Sequence, residues 1–494
     1  MAMHKRTRTG CWTCREAGYK CDEYKPHCGR CMRLKITCKG YGIKLKWQDE
    51  NISTPTKRPR RTKRKSSVDE DSSSSPGSTV SIESTSMMLT SPNYGTSSPE
   101  PTYCLPLMPL ASSPSSATLS PSDRWLLHYW VEQLSTLISI APRKEHATPF
   151  RLHLTAMVHD SAALRSTILS MAANHLALSS DDPSLHFQAY RHQEDAIHEL
   201  QNVIRDPNQA ATEPALATVL MMQVSARLFG NDDDSSVVNH LAGAKAMITR
   251  RSRAHWATSS TSSFLLSVFA YHDILSSVSR GSQPLSDHDN NFAAVEGEAD
   301  MQSIAKVLLT VARISQLQHA IKARRIFSAN TSLSEEEEAT GRDIQQTLLS
   351  MNLQSGNISS DITLTAEAYR QAAFIYLYRT WLSIGSPNPI SMDHVTRCLS
   401  YIRLVSVTST LTSAHVWPLF TAGCEAIDAT QREFVCSRFE EMHTEKKFPS
   451  LKRVLRDVQD VWIAKDAEVG LEGREKVDCI QVILRRRGRE VDLA

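Results

Sequence analysis

Six cysteines between positions 11 and 38, spaced C-x2-C-x6-C-x6-C-x2-C-x6-C, constrain this chain more than any other feature. The pattern is an internal repeat. C-x2-C-x6-C runs through Cys11, Cys14 and Cys21, then again through Cys28, Cys31 and Cys38. So short a stretch cannot bury a self-sufficient apolar core, so chemistry at the thiols has to supply the folding energy. The N-terminal MAMHKRTRTGC has no apolar segment of the secretory kind. That predicts a reducing setting, in which close-set thiols bind metal rather than pair as disulfides. A structural zinc ion takes four ligands. Six thiolates saturate one zinc and leave two sulfurs idle, or they saturate two zincs if two sulfurs are shared. The equivalence of the halves favours the second arrangement. The remaining cysteines, Cys104, Cys398, Cys424, Cys436 and Cys479, are far apart and read as ordinary buried or linker thiols.

Charge is distributed as unevenly as cysteine. The whole chain of 494 residues carries a net +3, but residues 1–65 hold 19 Lys/Arg against 5 Asp/Glu. The remainder is correspondingly acidic. A basic head on an acidic body points to a polyanionic partner for the head. No apolar run reaches the roughly 18–20 residues that a membrane helix needs, so no membrane association is expected.

The cysteine stretch resembles the fungal Zn(II)2Cys6 binuclear-cluster transcription factors. All six positions match that spacing, and Pro26 sits in the loop before Cys28. The flanks Cys21-Asp22-Glu23 and Cys38-Lys39-Gly40-Tyr41 are similar as well. The resemblance implies two zinc ions per chain, with Cys11 and Cys28 bridging. Cys14 and Cys21 would complete one site, Cys31 and Cys38 the other. It also implies a nuclear protein that places a short helix in the DNA major groove, where basic side chains reach guanine edges.

One segment departs from the family pattern. After Cys14 the family usually carries a dense basic run, whereas this chain reads Arg15-Glu16-Ala17-Gly18-Tyr19-Lys20. Arg15 and Lys20 fit; Ala17 and Gly18 stand where the central basic residues would be. Three routes to DNA binding remain open. Backbone near Gly18 approaches the bases and Tyr19 and Lys20 supply contacts; an N-terminal arm of Lys5, Arg6 and Arg8 reads the sequence; or the module chiefly clamps phosphate. Arg30, Arg33 and Lys35 are further candidates for DNA contact, and phosphate binding of this kind weakens steeply with salt.

Residues 57–65, KRPRRTKRK, place Lys57, Arg58, Arg60, Arg61, Lys63, Arg64 and Lys65 in one cluster, a candidate nuclear-import signal read by the import machinery. From Ser66 to Pro121 there are 18 Ser and 8 Pro. Such a composition buries too little apolar surface to offset chain entropy, which predicts disorder. Five Ser-Pro pairs there invite proline-directed phosphorylation. No sustained heptad follows the cysteines, so any homodimer would form through the rest of the chain.

From residue 122 the pattern becomes helical, with Ser122-Asp123 as a candidate N-cap. Leu164, Ile168, Met171, Ala172 and His175 share a face, as do Phe187, Tyr190, Ile197, Leu200 and Ile204. Leu216, Leu220 and Val224 follow Pro214, and Val237, Leu241, Ala244 and Ile248 form a fourth stripe. We expect 14–18 helices in antiparallel pairs. Strings such as Leu169–His175, His240–Ala244, Tyr369–Arg379 and Trp417–Ala426 resemble the helical regulatory domain that accompanies these clusters. The fold expected is thus a small metal-stabilised Zn(II)2Cys6 domain (1–50, cluster core 11–38), a basic then Ser/Pro-rich linker (51–121), and an all-α regulatory domain (122–494).

Catalytic signatures are missing: there is no H-E-x-x-H, G-x-S-x-G, P-loop or G-x-G-x-x-G. His175 and His240 read as satisfied core histidines, and Tyr376, Tyr378 and Trp381 as aromatic core rather than an effector cavity. Asp232-Asp233-Asp234 reads as a loop, Glu335–Glu338 as a capped helix start, and Arg485-Arg486-Arg487 as a solvated helix end. The function expected is a nuclear, zinc-dependent, DNA-binding transcriptional regulator and not an enzyme. The alternative is a co-regulator or repressor that reads bases weakly and acts through protein contacts.

Overall fold

The computed structural model describes residues 10–17, 19–24, 27–39, 119–140, 148–180, 182–230, 240–251, 256, 259–288, 301–327, 332–353, 360–468, 473 and 476–494. Lys5, Arg6, Arg8, Gly18, Pro26, the 57–65 cluster, the Ser/Pro-rich stretch as far as residue 118 and the acidic run at 232–234 lie outside the described residues. Among those described, every regular element is helical.

The cysteine head holds two five-residue helices, α1 (Trp12–Glu16) and α2 (Gly29–Arg33), each beginning one residue after the first cysteine of its half. The body begins with α3 (Pro121–Tyr129), which runs through a π-helical turn, Trp130–Leu134, into α4 (Ser135–Leu137). Next come α5 (Pro149–Asp160), α6 (Ala162–Ala177), α7 (Pro183–Arg205), α8 (Glu213–Phe229), α9 (His240–Arg250) and α10 (Ser260–Arg280). The second half holds α11 (Gln302–Phe327), α12 (Glu335–Ser350), α13 (Asp361–Trp381), α14 (Pro389–Leu404), α15 (Val416–Glu425), α16 (Ala429–Lys446), α17 (Pro449–Ala467) and α18 (Cys479–Arg487). Fifteen of the body's described helices are nine residues or longer, within the number expected.

Local chemistry explains where these helices start. Proline occupies the first turn of α3, α5, α7, α8, α14 and α17, where its missing N–H costs nothing. Side-chain caps come from Ser161, Asp182, Ser259, Ser360, Asp428 and Asp478. Ser334 and Glu337 form a reciprocal capping box at α12, as the acidic start suggests. At α3 the cap is Ser120, whose hydroxyl accepts from the Asp123 N–H, and not Ser122. Pro121 opens the helix, which moves the cap two residues ahead of Ser122.

Consecutive helices pack side by side, most extensively α6 with α7 and α13 with α14. One core joins them, with Trp130, Trp256, Trp417, Tyr369 and Phe439 among its fully buried side chains. The stripe on α6 is buried as expected. On α7 the expected face is rotated: Phe187 and Tyr190 are exposed, and Leu185, Ala189, His192, Ala196 and Leu200 are buried. Two alanines allow α6 and α7 to approach closely, which aromatic rings at those positions would prevent. The arginines of α18 are not merely solvated, because Arg486 and Arg487 both bond the Asp460 carboxylate, at 3.0 and 2.7 Å.

Candidate metal centre and nucleic-acid interface

The 17-residue register of the cysteine repeat reappears as backbone geometry. In the first half, Arg15 N–H donates to Cys11 O and Tyr19 N–H to Cys14 O; in the second, Met32 N–H donates to Cys28 O and Ile36 N–H to Cys31 O. The register extends to sulfur. Cys11 N–H points at Cys21 Sγ (3.3 Å), and Cys28 N–H points at Cys38 Sγ (3.4 Å). N–H groups aimed at thiol sulfur favour the thiolate form.

The six sulfurs fall into two overlapping groups of four. Cys11, Cys14, Cys21 and Cys28 make one, Cys11, Cys28, Cys31 and Cys38 the other, and within each the sulfurs lie within 4.8 Å of one another. Cys11 and Cys28 belong to both. Their sulfurs are 3.6 Å apart, with Cys14–Cys28 at 3.7 Å and Cys11–Cys31 at 3.9 Å. A tetrahedral zinc with sulfur at about 2.3 Å requires sulfur–sulfur edges of about 3.8 Å. The donor set therefore fits a tetrahedral thiophilic cation in each group. Burial pushes the Cys28 thiol up to about 12 and raises Cys11 and Cys31 as well. A bound cation would displace those protons, which ties metal affinity to pH.

The two halves clasp each other by different means. The Asp22 carboxylate accepts the N–H groups of Gly29 (3.0 Å) and Arg30 (2.8 Å) at the start of α2. At the matching junction Thr13 Oγ1 accepts the Lys39 N–H and donates to Thr37 O, both at 2.9 Å. These junctions are tight: a Cβ on Gly29 would lie 2.8 Å from Asp22 Oδ2, and one on Gly10 would lie 2.7 Å from Cys21 Cβ. Asp22 is visible in the sequence only as part of the Cys21-Asp22-Glu23 flank and Thr13 not at all, because no spacing rule marks a hydroxyl or carboxylate that ties two loops together.

Around this centre Arg15, Tyr19, Lys20, Arg33 and Lys35 are exposed. Arg15 stacks over the Trp12 ring, with Cζ 4.1 Å from its centroid. Arg30 is half-buried. Its guanidinium lies 4.0 Å over the Tyr19 ring and its Nη1 faces Cys14 Sγ at 3.8 Å. The structure thus joins Tyr19 and Arg30, which come from opposite halves of the repeat. Trp12, absent from the expected contacts, acts as a platform for Arg15.

Within the body, His175 is satisfied, by Tyr129 Oη (2.6 Å) and Lys446 O (2.8 Å). His240 is buried, but its Nδ1 has no partner among the described residues. Tyr376 bonds Gln318 and Ser315, Tyr378 bonds Gln345, and Trp381 donates to Glu338, so all three are framework. No helix among the described residues is long and apolar enough to cross a membrane.

Residues 9–48 match the model of the fungal Zn(2)-Cys(6) binuclear cluster domain, and residues 125–493 match that of the fungal specific transcription factor domain. Similar proteins include pestheic acid cluster transcriptional regulator 3 of Pestalotiopsis fici, 53% identical over 49 residues, or 10% of this chain and 9% of the relative. Arginine metabolism regulation protein II of Saccharomyces cerevisiae is 55% identical over 42 residues, 8% of this chain and 5% of that one. White-opaque regulator 2 of Candida albicans is 50% identical over 60 residues, 12% of each chain. The matches thus span 5–12% of these relatives' length. No solved structure matches the chain. With most of its length under the second model and its cysteines under the first, the chain belongs to the fungal transcription factors that carry the fungal specific transcription factor domain together with a Zn(2)-Cys(6) cluster.

Proposed function

We propose that this protein is a zinc-dependent, DNA-binding regulator of transcription that acts in the nucleus. The observation that carries the reading is the pair of thiol tetrads sharing Cys11 and Cys28, a donor set suited to two zinc ions, inside a basic head. Held by that metal, α1 would present Arg15 and the turn to Lys20 to the major groove, with Arg33 and Lys35 against phosphate. Lys5, Arg6 and Arg8 would add contacts from the N-terminal side, and Gly18 would allow close backbone approach. The cluster from Lys57 to Lys65 would serve nuclear import. The body would mediate regulation, through co-regulators or self-association, without catalysing a reaction. The relatives' names, regulators of a biosynthetic cluster and of arginine metabolism, favour this over a co-regulator that barely reads bases.

Selection of the full-length, zinc-loaded protein against random duplex DNA tests the reading. Enrichment of a G·C-rich triplet is the expected outcome, lost when Arg15 and Lys20 are both replaced by Ala. Salt-sensitive binding with no enriched sequence would overturn base reading and leave phosphate clamping alone.

A further inference from the structure

The body holds a partly open cavity of about 180 Å³ that the DNA-binding function does not use. Its wall is mostly hydrocarbon and aromatic: Phe150, Phe264, Val268, Leu308, Met442 and Phe448 line it. An apolar cavity of about 150 Å³ already admits benzene, so the space suits a small organic body.

The polar groups on the wall are unequal. Asp492 is committed to Arg227 and Arg453, at 3.3 and 3.0 Å. His153 bonds Thr261 through Nδ1 and stacks on Phe264. Lys446 is different. It is 3% exposed and lines the cavity; its ammonium has no hydrogen-bond or ion-pair partner among the described residues, and the exposed carboxylate of its chain neighbour Glu445 acts on it only through space. Burial pulls it down to about 8. His272, also on the wall and buried, has no partner for Nδ1. An ammonium set in a mostly apolar wall without a hydrogen-bonded partner is costly, and apolar side chains fill such space at less expense. Its position as the last residue of α16 gives it some stabilisation from the helix dipole, but that interaction does not require a cavity.

We propose that this cavity binds a small monocarboxylate with a single-ring or short aliphatic body, its carboxylate paired with Lys446 and its apolar part against Phe264, Val268 and Leu308. The inference is independent of DNA recognition, since its ligand and its readout concern the body alone.

Calorimetric titration of the full-length, zinc-loaded protein tests it, with benzoate and hexanoate as probes and benzamide and hexanamide as neutral isosteres. Each acid should bind at least tenfold tighter than its amide. Lys446→Met should abolish that ratio while weak amide binding persists, and Lys446→Arg should keep it. Ala305→Phe, which fills the space from α11, should remove binding of all four. Absence of binding by every probe, equal affinity for acid and amide, or a ratio unchanged in Lys446→Met would each overturn the proposal. Thermal melts of the variants confirm that each is folded when titrated.

Discussion

In the head, Cys11, Cys14, Cys28 and Cys31 are fully buried while Tyr19, Tyr24, Met32, Leu34 and Ile36 are exposed; in the body, Trp130, Trp417, Tyr369 and Phe439 are buried in one continuous core. The head inverts the usual arrangement because its interior is sulfur. Its large side chains are left outside, available for contact. The body follows ordinary hydrophobic burial, and buried ionic groups such as Glu425 with Lys465 and Arg379, and Asp457 with Arg489, are locked to each other inside. Two separate cores on one chain predict that each source of stability can be removed without the other.

The sharpest way to break this contrast is to take away the metal. Structural zinc contributes on the order of 10–16 kcal/mol in small cysteine domains. Chelation should collapse the dispersed amide resonances of residues 10–39 and leave the thermal transition of the body unchanged. A body transition that moves with chelation would show that the two regions share their stability.

The converse perturbation targets the body. Glu425 is fully buried, and its carboxylate accepts from Lys465 Nζ at 2.8 Å, Arg379 Nε at 2.7 Å and the Ser386 N–H at 2.7 Å. Burial alone would raise this carboxyl, but Lys465 and Arg379 hold it down at about 2. Glu425→Gln leaves two buried cations with one neutral partner, at a cost of about 3–5 kcal/mol. Urea denaturation should register the loss while zinc content stays the same. Equal stability of the variant would remove this network from the account.

Acid separates the regions more gently. Burial pushes His240 down to about 4 and His272 and His415 down to about 3. An unfolded imidazole titrates near 6.5, so the unfolded chain takes up these protons first as the pH falls. The stability that these histidines contribute is present above about pH 6.5 and is lost as pH falls toward their folded values. At about pH 5.5 each costs the body roughly 1 kcal/mol. A urea midpoint unchanged between neutral pH and that value would contradict their buried, neutral state.

The smallest effects lie on the exposed surface. The logarithm of DNA affinity against that of salt should have a slope at least as steep as about −3. Lys20→Ala should flatten it by about one unit, whereas Lys452→Ala, on an exposed body position, should not change it. A slope indifferent to Lys20 would place the phosphate contacts elsewhere on the head.

The two regions also differ in what their sequence reveals. In the head, spacing is geometry: a 17-residue register of cysteines returns as matched hydrogen bonds and two sulfur tetrads. What the spacing does not carry is the clasp, since Asp22 and Thr13 act through loop-to-helix contacts that have no period. In the body, the stripes on α6 and α8 are visible because large side chains mark them. On α7 the aromatic residues Phe187 and Tyr190 suggest one face, while the buried stripe depends on Ala189 and Ala196, which carry little hydrophobic signal. Lys446 was equally hidden. A basic residue at the end of a helix reads as a solvated terminus, and only the assembled helices show that it faces a cavity.

The most direct measurement is the metal content of the purified full chain under reducing conditions, by elemental analysis. Two zinc ions per chain are expected, because Cys11 and Cys28 each serve both tetrads. A single zinc, or none, would contradict the shared-sulfur centre on which the head and its proposed DNA contacts rest.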